Sequence, residues 1–128
     1  MAALLRRSLP SVPFSVVTSP DPRRAWDDRS MTVLSLLDLR VASDALEQAP
    51  ALIHETLAGT RARPGCLGVE VVVDVDDPTH FVFVEKWESL ADDDAYRAWR
   101  ETPEGAAVLG PILAGPPVLT RAVVRDEI

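Results

Sequence analysis

Only one cysteine is present, Cys66, so no intrachain disulfide can form and nothing in the thiol content ties the chain to an oxidising compartment. No apolar run approaches the roughly 18 residues needed to cross a bilayer as a helix. Positive charge is in deficit, with 13 Lys and Arg against 20 Asp and Glu and a net charge of −7. The deficit is uneven. Residues 1–30 hold five Arg and three Asp, so the excess of acid lies in the rest of the chain. An acidic domain repels phosphate backbones, which argues against nucleic acid as a partner. The two histidines, His54 and His80, have no Cys or carboxylate joining them at ligand spacing, so no metal site is expected. Gly-rich phosphate loops, a Ser-His-Asp order and paired-carboxylate signatures are also missing. A soluble, cytoplasmic protein with no membrane partner is expected.

At 128 residues the chain suits one domain with one core. Residues 1–30, with four Pro and no sustained period, read as a loosely attached or disordered arm. They lack the apolar core of a secretory signal; a transit peptide, or a natural start at Met31, stays open. From Met31 the pattern sharpens. Residues 31–41 alternate and are rich in Val and Leu, which predicts a strand. Ser43 or Asp44 can cap a helix whose buried stripe is Leu46, Ala49, Ile53, Leu57 and Thr60. Pro50 suits the first turn of that helix, or splits off a short turn before it. Pro64-Gly65 ends it. Residues 67–75 and 80–87 alternate around the turn residues Asp76-Asp77-Pro78-Thr79, predicting a hairpin. Ser89 caps a second helix to about Arg100, Thr102-Pro103-Glu104 reads as a fresh helix start, and 118–125 form a last strand. The order βαββαβ is the ferredoxin-like α+β arrangement, a four-stranded antiparallel sheet with helices on one face.

A sheet with water on its other face should show a polar row there. These strands do not. Leu34 and Leu36 oppose Val33, Leu37 and Leu39; Val72 opposes Val69, Val71 and Val73; Val82 and Val84 oppose Phe81, Phe83 and Trp87; Val118 opposes Leu119 and Val123. A patch of that extent marks an interface, so a homodimer joined sheet to sheet, a dimeric α+β barrel, is expected.

Three segments carry a family resemblance: Thr60-Arg61-Ala62-Arg63-Pro64-Gly65-Cys66, then Phe81 to Ser89 (FVFVEKWES), then Tyr96-Arg97-Ala98-Trp99-Arg100 with the distal Gly115-Pro116-Pro117. Together they resemble the antibiotic biosynthesis monooxygenase (ABM) family over residues 31–128. The resemblance implies a ferredoxin-like homodimer with one pocket per subunit, between sheet and helices. It implies a cofactor-independent monooxygenase of a small aromatic substrate, of quinol, anthrone or polyketide type. The same scaffold also fits a non-catalytic barrel that binds a small apolar ligand, or a polyketide cyclase or isomerase.

By that resemblance, Trp87 offers a flat surface for an aromatic ring, with Phe81 and Phe83 beside it, and Tyr96 a phenol for a substrate oxygen. Each also suits a core or half-buried aromatic. His54, at the margin of the first helix's stripe, is the candidate general base or else a solvated boundary histidine. The catalytic candidates are therefore His54 and Tyr96, and the substrate-binding ones Trp87, Phe81, Phe83, Thr56 and Thr60, with no cofactor. Departures are clear. Polyketide oxygenases of the family carry an Asn four residues before the Trp, where Phe83 stands. They also carry a second-strand His, where Val71-Val72-Val73 stands. Haem-degrading members use a second-helix His, and residues 90–109 contain none. His80 reads as exposed, Asp92-Asp93-Asp94 as a solvated face at a helix N-terminus, and Cys66 as a buried small thiol.

Overall fold

The computed structural model describes residues 31–128. The N-terminal arm, 1–30, lies outside the described residues. Four strands and two α-helices follow in chain order, with short 3-10 turns at Ser43–Ala45 and Gly110–Ile112: β1 (Val33–Arg40), α1 (Ala49–Arg61), β2 (Cys66–Asp74), β3 (Asp77–Trp87), α2 (Leu90–Arg100) and β4 (Val118–Val123). The strands form one antiparallel sheet in the order β2-β3-β1-β4, the ferredoxin-like topology.

Register decides what faces the helices. Val33 lies opposite Trp87, Ser35 opposite Glu85, Leu37 opposite Phe83 and Leu39 opposite Phe81. Directly paired residues share a face, so this set forms one continuous layer. Ile53 and Leu57 of α1 pack on its Phe81–Leu39 end, while Tyr96 of α2 packs on its Trp87–Val33 end. Trp87, Phe83, Leu39 and Leu57 are fully buried, each contributing about 1.5–3 kcal/mol by leaving water. Residues of the other parity line the face that no helix covers. Leu34, Leu36, Val82 and Val84 are half-buried there by their neighbours alone, and Val72 and Val118 are exposed.

Several local expectations need correction. Neither Ser43 nor Asp44 caps α1. Ser43–Ala45 form a separate 3-10 turn, and α1 starts at Ala49 with Pro50 in its first turn. Proline cannot donate inside a helix and clashes with the turn before it, so the helix begins where that costs nothing. The hairpin turns at Val75-Asp76 rather than over 76–79, and Asp77, Pro78 and Thr79 belong to β3. Carboxylates hold this corner: Asp74 Oδ1 accepts the Asp76 N–H, and Asp77 Oδ1 accepts both the N–H and the hydroxyl of Thr79. Ser89 caps α2 as expected, its Oγ accepting the Asp92 N–H at 3.1 Å. Thr102-Pro103-Glu104 starts no helix. The Thr102 hydroxyl instead donates back to Trp99 O at 2.6 Å and accepts the Gly105 N–H, closing the end of α2.

The two segments that carry most of the resemblance meet in space. Gly65 takes φ +83°, a left-handed conformation that favours glycine, and its carbonyl accepts the Glu88 N–H at 2.8 Å. A Cβ on Gly65 would stand 2.2 Å from the Asp92 carboxyl carbon. The turn after α1 is thus locked onto the first turn of α2.

Candidate functional site

The expected site residues divide between two places. The first is a cleft of about 200 Å³ between α1 and the sheet. Its wall is Pro50, Ile53 and Leu57, its floor is Phe81 and Val71, and His54 and Arg61 stand at its polar margin. Helical geometry accounts for the pairing. Seven residues is nearly two whole turns, so His54 and Arg61 share a face about 10 Å apart along the axis. Both are exposed. Arg61 Nη2 donates to Val69 O at 2.9 Å, which draws the guanidinium over the sheet edge.

The second place is closed. Trp87 has no exposed surface and Tyr96 is buried, their ring centroids 4.9 Å apart. The Tyr96 hydroxyl lies 2.9 Å from Thr60 Oγ1 and accepts from Arg100 Nε at 2.9 Å. Arg100 Nη2 also donates to Thr60 Oγ1 and to Thr56 O, both at 2.8 Å. Guanidinium groups cover the rings: Arg97 and Arg100 lie 4.8 and 5.2 Å from the Tyr96 centroid, and Arg100 and Arg63 lie 4.9 and 4.4 Å from that of Trp99. This stack seals the seam between α1 and α2.

His54 and Phe81 therefore come together at the cleft, while Thr60, Tyr96 and Trp87 come together in the seam. Six residues of strand, about 20 Å, separate Phe81 from Trp87. The structure does not bring His54 and Tyr96 into one site. Phe83 lies between Phe81 and Trp87 on β3, fully buried; Thr56 lies between His54 and Thr60 on α1, its buried Oγ1 without a partner.

Beneath α2 lies a set of charges whose sequence pattern suggests solvent. Asp93 has no exposed surface, so its assignment to a solvated face is wrong. It accepts the Ser35 hydroxyl at 2.8 Å and pairs with Arg121 at 3.1 Å and Arg97 at 3.0 Å. Arg97 reaches on to Glu85 at 2.5 Å, and Trp87 Nε1 donates to the same Glu85 oxygen at 3.1 Å. Glu85 Oε2 has no partner. Burial pushes the Glu85 carboxyl above its ordinary range, against the opposing pull of Arg97. Asp93 turns inward because its position on α2 faces β1 and β4, whose Ser35 and Arg121 supply polar partners. The i, i+4 spacing of Asp93 and Arg97, and of Tyr96 and Arg100, was the available signal.

His80 also differs from expectation. It is half-buried, with Nε2 2.5 Å from Asp38 and Nδ1 3.0 Å from Asp74. The Asp74 and Asp38 carboxylates raise its pKa above 6.5. Cys66 is half-buried, and desolvation raises its thiol pKa. Among the described residues no group of three His, Cys, Asp or Glu could hold a metal, and no helix is long and apolar enough to cross a membrane.

Comparison with known proteins decides the family. The profile of the antibiotic biosynthesis monooxygenases matches residues 32–108, more than half of the chain. The chain belongs to the ABM family. Solved ABM-like structures share its fold. A Nitrosomonas europaea protein assigned as an antibiotic biosynthesis monooxygenase is 18% identical with a TM-score of 0.65, over 77% of this chain and 94% of its own. A Mycobacterium tuberculosis protein is 24% identical with a TM-score of 0.61, over 75% and 97%. A conserved Methanosarcina mazei protein is 14% identical with a TM-score of 0.63, over 73% and 92%. No curated protein matches the sequence. At such identities the likeness carries the fold, and the chemistry rests on this chain's own residues.

Proposed function

We propose that this ABM domain is a cofactor-independent monooxygenase of a small aromatic substrate of quinol, anthrone or polyketide type, acting as a cytoplasmic homodimer. The observation that supports it is the cleft on α1: an apolar wall and a Phe81 floor to hold a ring, with the His54 imidazole at the margin. In this chemistry the substrate supplies the electrons. His54 takes a proton from the substrate hydroxyl, and the resulting anion gives electrons to dioxygen at a ring carbon. For a quinol, one oxygen atom stays on that carbon and the other leaves as water, so quinol and dioxygen become a hydroxyquinone and water. The homodimer reading is supported by Leu34, Leu36, Val82 and Val84 on the face no helix covers.

The test is oxygen uptake by the full chain on a panel of hydroquinones and anthrones. Stoichiometric uptake with hydroxyquinone formation is expected, and His54→Gln lowers kcat about a hundredfold. Saturable binding without uptake refutes the oxygenase and leaves a ligand-binding barrel. Substrate loss at equal rate under nitrogen refutes it in favour of a cyclase or isomerase.

A further inference from the structure

The cleft on α1 holds a cation that no described carboxylate neutralises. Arg40, Arg97, Arg121 and Arg125 each pair with an acid. Arg61 pairs with none among the described residues, although acids outnumber bases in this chain. Two other arginines share that condition but are engaged otherwise. Arg100 spends its donors on Tyr96, Thr56, Thr60 and Gly105, and the Arg63 guanidinium stands 4.4 Å from the Trp99 ring centroid. Arg61 has only the bond to Val69 O, so most of its five donors remain free, and it lines an apolar cleft.

Resting on the oxygenase reading of the same cleft, we propose that its substrate is a single-ring hydroxylated aromatic carboxylate, whose anionic group Arg61 holds. Volume sets the scale of the ring system. A closed cavity on the order of 150 Å³ accommodates one benzene, so a cleft of about 200 Å³ holds one substituted ring against Phe81. Charge sets the substituent. A guanidinium presents parallel N–H donors that match the two oxygens of a carboxylate. Spacing sets the orientation. His54 and Arg61 stand about 10 Å apart along α1, and one ring carrying a carboxylate at one end and a hydroxyl at the other, with a hydrogen bond at each, bridges that gap. The carboxylate is anchored at the C-terminal end of α1, the ring lies on Phe81, and the hydroxyl to be deprotonated faces His54.

The experiment compares dihydroxybenzoate with its methyl ester, the same ring with and without the charge, by calorimetric titration of the full chain. The acid binds about tenfold tighter than the ester, and the ratio shrinks as salt is raised. In Arg61→Gln the ratio falls to about one, Arg61→Lys keeps a preference of several fold, and Arg63→Gln, outside the cleft, keeps it whole. Equal binding of acid and ester, or a preference that survives Arg61→Gln, overturns the inference, as does failure of both rings to bind. Oxygen uptake in parallel separates this from the wider reading. Uptake on neutral quinols without any acid preference sinks the anion anchor alone. A preference for the acid without uptake on any substrate upholds the anchor and sinks the oxygenase.

Discussion

Asp93→Asn removes one charge and almost no volume from a fully buried polar position. The side chain has no exposure; its Oδ2 accepts from Ser35 and Arg121, and Arg97 Nε stands 3.0 Å from its Oδ1 as an ion pair. The asparagine keeps one carbonyl oxygen, which satisfies Ser35. Its amide group then turns two donors toward an arginine, which also donates. The arginines are not stranded, because Arg97 keeps Glu85 and Arg121 keeps Asp94. The variant therefore gives up the ion pair with Arg97 and sets one donor against another. That costs about 2–3 kcal/mol, below the 3–5 kcal/mol of a fully orphaned buried ion. For a domain near 100 residues it lowers Tm by about 10–20 °C. Asp94→Asn is the control. Its carboxylate is 60% exposed, so its pair with Arg121 contributes under about 1 kcal/mol. Urea unfolding at one fixed protein concentration reads both, since association adds to stability. A change in midpoint at constant slope is expected for Asp93→Asn. If its loss of stability stays below about 0.5 kcal/mol, or equals that of Asp94→Asn, the buried network holds nothing together and the reasoning fails.

Gly65→Ala is expected to cost about 1–3 kcal/mol, because φ +83° disfavours a side chain and the Asp92 carboxylate occupies the space; an unchanged urea midpoint would count against that packing. His80 gains its proton more readily in the fold, so its stabilising contribution is complete below its unfolded value near 6.5 and is lost as pH rises through the higher folded value; His80→Gln should flatten the fall in Tm above pH 6.5, and an unaltered pH profile would refute the Asp38–His80–Asp74 clamp. Val84→Asp places a charge in the centre of the uncovered face; sedimentation at micromolar concentration should show dimer for the parent chain and monomer for the variant.

Particular residues show where local pattern is enough. Strand alternation, Ser89 as a cap and Pro64-Gly65 as a stop are short-range effects, and each element they imply is present. Thr102-Pro103 misleads because the same residues that open a helix also close one, and Gly105 beside Trp99 selects the second role. Asp93 misleads because an acidic triplet at a helix start ordinarily faces water. Its burial requires Ser35, 58 residues away, and Arg121, 28 residues away. At the site, His54 and Phe81 are legible as inward or marginal positions, whereas Arg61 reads only as part of a turn motif. Tyr96 is legible as an aromatic, yet nothing near it in sequence shows that Thr60 and Arg100 occupy its hydroxyl.

The order of elements, the antiparallel sheet and the family are all written in the chain itself, since periodicity, turn chemistry and short motifs act over a few residues. So is the apolar character of both sheet faces. Which aromatics are sealed and which line an opening is settled only by packing. A side chain's parity says which face it takes, while the helix packed above it says whether that place is a wall or a cleft. The closing of the α1–α2 seam over Trp87 and the opening at Phe81 come from that packing.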